Sequence, residues 1–426
     1  MEKLRVENFL VIKKAELDVK NVCVIIGPQA SGKSVLAKLL HLFREFFDGS
    51  TREALLDMNG EDAQEFETRM CAILIKSFAK YFPGFLRDGH AFQVTYSSAD
   101  FSASISGNKK ESENGRFVVE FSDVYLSFLK NVHREYSEVK RKSQPKTRAP
   151  MPDFDDPLSG VLWNSPHAEP FRSAQRSSVF VPASRAYFAS LQKHLFSILK
   201  TGVTLDPLIV DFGVKFDISR EDSYGDTLEL MAQVEPLVES ILVGKYVYRD
   251  GEDWILSSTG LTKLQHASSG QQEALPMLVV LTDWASFMAR GSGFIIEEPE
   301  AHLYPKAQKN VVSLFGLFNN RQELDFFITT HSPYILAALN NLMLAGEVKE
   351  LIGGDELAAV IDPDFTLNFS DVSAYTITDG ELHSILDEEE RLIGVNATDG
   401  VSDEFGEEFE ALLELREKGG RGAYSR

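Results

Sequence analysis

Five consecutive apolar residues, Val22-Cys23-Val24-Ile25-Ile26, break without a gap into Gly27-Pro28-Gln29-Ala30-Ser31-Gly32-Lys33-Ser34. An apolar run without polar alternation reads as a strand buried on both faces, which demands packed layers above and below its sheet. Leu36, Leu39, Leu40, Phe43 and Phe47 follow at helical spacing, the stripe that lays a helix on that sheet. A strand, a glycine loop and a helix opening on Lys-Ser form the setting in which GxxxxGK[ST] holds phosphate. Gly27 and Gly32 let the backbone turn so sharply that successive N–H groups point inward at a helix N-terminus, where the dipole also favours an anion. The whole segment Gly27, Pro28, Gln29, Ala30, Ser31, Gly32 is expected to cradle a nucleoside triphosphate, with Lys33 on the β and γ phosphates and the Ser34 hydroxyl on Mg²⁺.

The rest of the composition narrows the class. With 43 Lys+Arg against 64 Asp+Glu, the net charge of −21 argues against a surface that grips nucleic acid by general electrostatics. Two cysteines, Cys23 and Cys71, supply neither a disulfide framework nor a metal cluster, and a reducing cytoplasm fits that usage. No run approaches the roughly 20 apolar residues of a membrane span, and the opening Met1-Glu2-Lys3-Leu4-Arg5 has no leader-like apolar stretch. A cytoplasmic protein without a membrane segment is the expectation.

Along the chain, Leu4 and Val6, then Ala15, Leu17 and Val19, alternate as half-exposed strands before the buried one. Residues 51–85 read as helical. Phe92–Tyr96, Phe101–Ile105 and Phe117–Phe121 read as a three-stranded antiparallel side sheet. Tyr125–Lys142 reads as a helix running into a Pro-rich stretch. Its Lys130, Arg134, Lys140, Arg141 and Lys142, with Lys146 and Arg148 beyond, suit nucleic acid, an acidic partner or a solvated helix face. A short strand stops at Pro182, and Asp250-Gly251 sits at the tip of a hairpin. From Gly293 onward the order strand, helix, strand, helix implies parallel pairing.

Three further stretches carry chemistry. Phe294-Ile295-Ile296 ends in Glu297-Glu298-Pro299-Glu300, two adjacent carboxylates at a strand's carboxyl end, where open α/β sheets bind ligands. Glu297 is assigned to the metal and Glu298 to the attacking water. The strand Leu324–Thr329 is followed by Thr330-His331-Ser332-Pro333, in which Ser332 and Pro333 start a helix and leave His331 on a turn, suited to a γ-phosphate contact. Ala267-Ser268-Ser269-Gly270-Gln271 opens another helix, a second anion-binding end.

Together these stretches resemble the ABC-type ATPase heads of the RecF, SMC and OLD kind. GPQASGKS resembles Walker A, ASSGQ the LSGGQ signature, FIIEEPEAHLYP Walker B with its D-loop, and THS the histidine switch, over about residues 1–50 and 176–340. The resemblance implies an α/β P-loop NTPase with an ABC-ATPase head: a parallel core sheet, an antiparallel side sheet and a helical subdomain carrying the signature. It implies ATP and Mg²⁺ as cofactors, Lys33 and Ser34 on phosphate and metal, Glu298 and His331 as catalytic, and Ser268, Ser269, Gly270 and Gln271 completing the ATP site of a second copy. Ala301, His302 and Leu303 correspond to the D-loop at that seam. Two departures stand out: Glu297 replaces the usual Asp, as in the EEPE variant of OLD-like ATPases, and no glutamine marks a Q-loop. Pro182-Ala183-Ser184-Arg185 takes that place by chain order and resembles the IPAxR stretch of the same branch.

The resemblance narrows to stand-alone OLD-like ATPases of anti-phage systems such as PARIS or Septu. After His331 about 95 residues remain, too few for a Toprim nuclease with its linkers, so a nuclease effector of Toprim or HNH type is expected on a separate chain. The implied protein is a homodimer or higher even-numbered homo-oligomer that senses a phage-encoded trigger. A RecF-like DNA-maintenance ATPase is the second reading, and a transporter's nucleotide-binding subunit the third. Four segments are expected: 1–122 with Walker A and the side sheet, 123–178 as a helical and basic insertion, 179–345 with the remaining motifs, and 346–426 as an acidic extension packing on the head. In that extension Ser402 and the apolar residues Phe405, Phe409, Leu412 and Leu413 mark a helix that docks a partner or covers the sheet.

Overall fold

The computed structural model describes residues 2–57, 63–83, 91–107, 117–142, 157–191, 205–221 and 228–394. Lys146, Arg148 and the segment from Ser402 to Leu413, expected as a helix, lie outside them.

The first strands are β1 (Glu2–Phe9), β2 (Ile12–Val19) and β3 (Val22–Ile26), and only β3 is buried along its whole length. Helices α1 (Lys33–Glu45), α2 (Thr51–Leu56) and α3 (Ala63–Tyr81) follow. The expected meander is β4 (Phe92–Ser98), β5 (Phe101–Gly107) and β6 (Val118–Phe121). Next come α4 (Asp123–Lys142), α5 (Pro157–Asn164), α6 (Glu169–Ala174), β7 (Ser178–Val181), α7 (Ala186–Leu191), α8 (Pro207–Glu221) and α9 (Leu228–Leu242). A small separate sheet holds β8 (Lys245–Arg249), β9 (Glu252–Ser257) and β10 (Gly260–Lys263); Asp250 and Gly251, both at positive φ, turn its first hairpin. Further along the chain come α10 (Ser269–Ala285), β11 (Gly293–Glu297), α11 (Pro305–Gln322), β12 (Asp325–Thr330), α12 (Pro333–Ile352), β13 (Val372–Thr378) and β14 (Glu381–Ser384).

Eleven strands form one sheet in the order β6-β5-β4-β1-β2-β14-β13-β3-β12-β11-β7. The β13, β3, β12, β11 and β7 pairings are parallel, and those from β6 through β2 are antiparallel, so core and side sheets are halves of a continuous surface. The join is narrow: β14 is antiparallel to β13 and meets β2 through one registered pair, Glu381 with Lys14. Residues 372–384 therefore do more than pack on the head, because they supply a central strand beside β3 and the bridge to the side sheet.

Strand alternation sorts the core into two clusters, one on each face. Cys23, Ile25, Ile295 and Phe327 face α1, whose Leu36, Leu39, Leu40 and Phe43 meet them. Val22, Val24, Ile26, Phe294, Ile296, Phe326 and Ile328 face α10, α11 and α12 through Leu278, Phe315 and Leu339. This two-sided cover is what the unbroken apolar runs of β3 and β11 demanded.

Candidate active site

Register places the chemistry. Ile26 at the end of β3 pairs with Thr330 at the end of β12, Thr329 pairs with Glu297 at the end of β11, and Ile296 pairs with Val181 at the end of β7. Gly27, His331, Glu298 and Pro182 are each the next residue out, so four loops leave one sheet edge side by side. That edge is where parallel sheets present ligand sites.

The phosphate loop is fixed by space as much as by conformation. Gly32 caps α1 at φ 108°, and a Cβ there would stand 2.3 Å from Ile12 Cδ1. Ala30 also takes a left-handed φ of 61°. Lys33 is 5% exposed, and its ammonium donates to the Gly27 and Pro28 carbonyls, both at 2.8 Å. Burial lowers its pKa, opposed by the charges of Glu298, Glu300 and Glu297. Gln29, Ala30, Ser31, Gly32, Lys33 and Ser34 line a cleft of about 370 Å³ together with Glu298, Thr329, His331 and the β1–β2 turn residues Leu10 and Val11. The structure thus brings the loop, Glu298 and His331 into one cleft.

Glu297 and Glu298 part in environment although adjacent in sequence. Glu297 is buried; its Oε2 accepts the Ala183 N–H at 3.3 Å, and its Oε1 has no partner in the chain. A buried carboxyl oxygen without a partner in the chain is a group that could hold a cation such as Mg²⁺. Glu298 is half-exposed in the cleft, its Oε1 3.4 Å from His331 Nε2. Its backbone sits at φ 45°, a left-handed conformation that is costly for a side-chain-bearing residue, and its N–H donates to the Thr329 carbonyl at 2.8 Å.

The signature residues lie on α10, outside the cleft lining. Ser268 caps the helix by accepting the Gln271 N–H while the Gln271 side chain accepts the Ser268 N–H, a capping box. Gln271 also donates to the Leu242 carbonyl at 2.7 Å, so its amide is committed within the chain. Ser268 and Ser269 are exposed. Gly270 is buried against the D-loop: a Cβ there would stand 2.7 Å from the His302 carbonyl oxygen.

Two residues matter more than their motifs suggested. Arg185 is fully buried and donates to main-chain carbonyls of three separate segments, detailed below. Glu300 Oε1 accepts both the Thr330 hydroxyl and the His331 N–H, each at 2.7 Å, which fastens the histidine turn to the D-loop. The one sequence signal for Glu300 was its place in the Glu297-Glu298-Pro299-Glu300 run; for Leu10 and Val11 there was none. Among the described residues no helix is long and apolar enough to cross a membrane.

Solved structures similar to this chain include an SMC head bound to the C-terminal winged-helix domain of ScpA, at 11% identity over 91% of this chain and 98% of that one, with a TM-score of 0.42. The SMC head domain from Thermotoga maritima matches at 11% identity over 91% and 98%, with a TM-score of 0.38. The recombination mediator RecF matches at 11% over 90% and 97%, with a TM-score of 0.35. A comparison with curated proteins found no match. The family model described as "AAA domain, putative AbiEii toxin, Type IV TA system" matches residues 22–337, which run from the first residue of β3 into α12 and include every motif residue of the cleft and of the signature, and the chain belongs to that family.

Proposed function

We propose that the chain is a Mg²⁺-dependent ATPase whose catalytic site is finished by a second copy, and that its nucleotide-controlled assembly governs a separate effector, a nuclease in anti-phage defence. The observation that carries the reading is the split arrangement. Phosphate loop, Glu298 and His331 share one cleft, with the stranded oxygen of Glu297 on the neighbouring strand end, while Ser268 and Ser269 stand exposed on a helix start outside it. A site with its anion-binding helix end turned elsewhere is half a site, and a two-fold partner supplies the other half.

ATP bound with Mg²⁺ supplies a phosphoanhydride whose terminal phosphoryl group passes to water. Lys33 exchanges its two loop carbonyls for phosphate oxygens, Ser34 and Glu297 would hold the metal, and Glu298 accepts the proton of the attacking water. His331, 3.4 Å from Glu298, is the group we assign to the γ-phosphate. Leu10 and Val11 offer the base an apolar lip. The output is a change of assembly, which ATP drives through its differential affinity for open and closed pairs. The effector and trigger rest on the resemblance to anti-phage ATPases and on the acidic charge, which disfavours DNA as the main partner. Lys130, Arg134, Lys140 and Arg141, exposed on α4, favour the alternative of a DNA-binding maintenance ATPase, for which binding would weaken steeply with salt.

Complementation tests the split site. Lys33→Ala and Ser269→Arg chains are each expected to be inactive, and mixing them leaves one intact site in half of the dimers, restoring about a quarter of wild-type phosphate release. No recovery on mixing, with both variants folded, refutes the composite site.

A further inference from the structure

Resting on the ATPase reading above, we infer that Arg185 is a positioning residue that ties the signature helix to the catalytic carboxylate strand, so that engagement of α10 by a partner's nucleotide sets the placement of Glu298. Arg185 has no exposure, and four donor bonds of its guanidinium go to main-chain carbonyls: Nε to Glu273 at 3.1 Å, Nη1 to Pro182 at 2.8 Å and to Glu297 at 2.7 Å, Nη2 to Glu298 at 2.9 Å. Its own N–H donates to Glu273 Oε2 at 2.7 Å, and that carboxylate lies 3.7 Å from Nε. One planar fork thus spans the end of β7, the end of β11 and the first turns of α10, where Glu273 is four residues beyond Ser269.

The geometry suits coupling better than simple adhesion. A main-chain carbonyl reports the position of the backbone, and two of the four belong to Glu297 and Glu298 themselves. Glu298 needs such restraint: its left-handed φ is held from the N–H side by Thr329 and from the carbonyl side by Arg185. Ser184, the residue that delivers Arg185 to this position, also takes a left-handed φ of 61°. A lysine has three donors on a single nitrogen and cannot reach all four carbonyls, so Arg185→Lys keeps the charge and loses the span. Displacing a reacting group by about 1 Å costs on the order of a hundredfold in rate.

The test uses the purified full chain and compares wild type, Arg185→Lys, Glu273→Gln and the double variant. For Arg185→Lys, kcat is expected to fall roughly ten- to a hundredfold, with KM, fluorescent ATP-analogue binding and ATP-dependent self-association within about threefold of wild type. Glu273→Gln, which retains an acceptor for the Arg185 N–H, is expected to fall less, and the double variant no further than Arg185→Lys alone, because the two act through one connection. A kcat within twofold of wild type in both single variants overturns the inference, as does a double variant whose losses multiply. If Arg185→Lys loses its fold, Glu273→Gln decides alone, and normal turnover there overturns the inference. Absence of turnover in the wild-type chain overturns the ATPase reading and this inference together; defects confined to nucleotide binding overturn the coupling role only.

Discussion

Asp325 opens β12 at the sheet edge opposite the phosphate loop, where two carboxylates compete for one guanidinium. Glu2 takes Arg44 through bonds of 2.9 and 2.6 Å and the Tyr96 hydroxyl at 2.7 Å, while Asp325 Oδ2 stands 4.0 Å from Arg44. Burial pushes the Asp325 carboxyl up to about 7, against the attraction of Arg44 and Arg176 and with the repulsion of Glu2. At Glu2 burial also opposes the charge, but Arg44 and Tyr96 outweigh it and hold the carboxyl below its usual range. Native Asp325 therefore keeps, between about pH 4 and 7, a proton that the unfolded chain releases. The stability this confers is full below its unfolded pKa of 3.8 and lost as pH rises through about 7. A shift of roughly 3 units at 1.36 kcal/mol each bounds the loss at about 4 kcal/mol. Asp325→Asn removes the titration while keeping the shape. Urea midpoints at pH 5 and pH 8 should show the wild type losing stability relative to the variant, with the variant the more stable at pH 8. A pH dependence identical in the two chains would refute the reasoning.

Arg44→Met strands the buried Glu2 carboxylate and should cost about 3–5 kcal/mol in urea unfolding, a loss that adding Glu2→Gln recovers in large part; equal midpoints for the two variants would count against the buried pair. Glu298→Gln should accumulate ATP-loaded dimers on gel filtration while phosphate release falls by at least about a hundredfold, and undiminished release would remove Glu298 from its role. Gly270→Ala pushes a methyl group into the His302 carbonyl. It should lower turnover about tenfold with ATP-analogue binding intact, and full activity would show that the D-loop has room to yield.

The motifs were legible because each couples a backbone demand to a side-chain demand. The buried run before Gly27, the carboxylate pair after Ile296 and the Ser332-Pro333 helix start all announced strand ends, and the register gathers those ends at one edge. The three side-sheet strands were legible as aromatic and β-branched runs between turn residues, the first two with clear alternation. Strand β13 was not. Its Val-Ser-Ala-Tyr-Thr-Ile-Thr is neither an apolar run nor a clean alternation, because its polar groups serve residues at the start of the chain: the Tyr375 hydroxyl accepts the Asp18 N–H at 2.9 Å, and the Ser373 hydroxyl accepts that of Lys20 at 3.5 Å. Arg185 stood out in the sequence without a role, since its partners are main-chain carbonyls, which carry no sequence signature. The same holds for the Glu300 carboxylate, half of whose use is the His331 N–H.

Because β13 lies beside β3, the strand that delivers the phosphate loop has no parallel neighbour on that side until residues 372–378 are in place, and Ile377 then sits against Gly27. During synthesis, the N-terminal portion emerges first and can form its hairpin of β1 and β2, yet the strand that carries the loop waits for a neighbour some 350 positions later. A chain lacking residues 372–378 would carry the Gly27–Ser34 loop on a strand paired on one side only, with β12. The shape of the turn at Gly27 is thereby set by a strand made some 350 positions after β3, so a change in residues 372–378 reaches the loop without touching it.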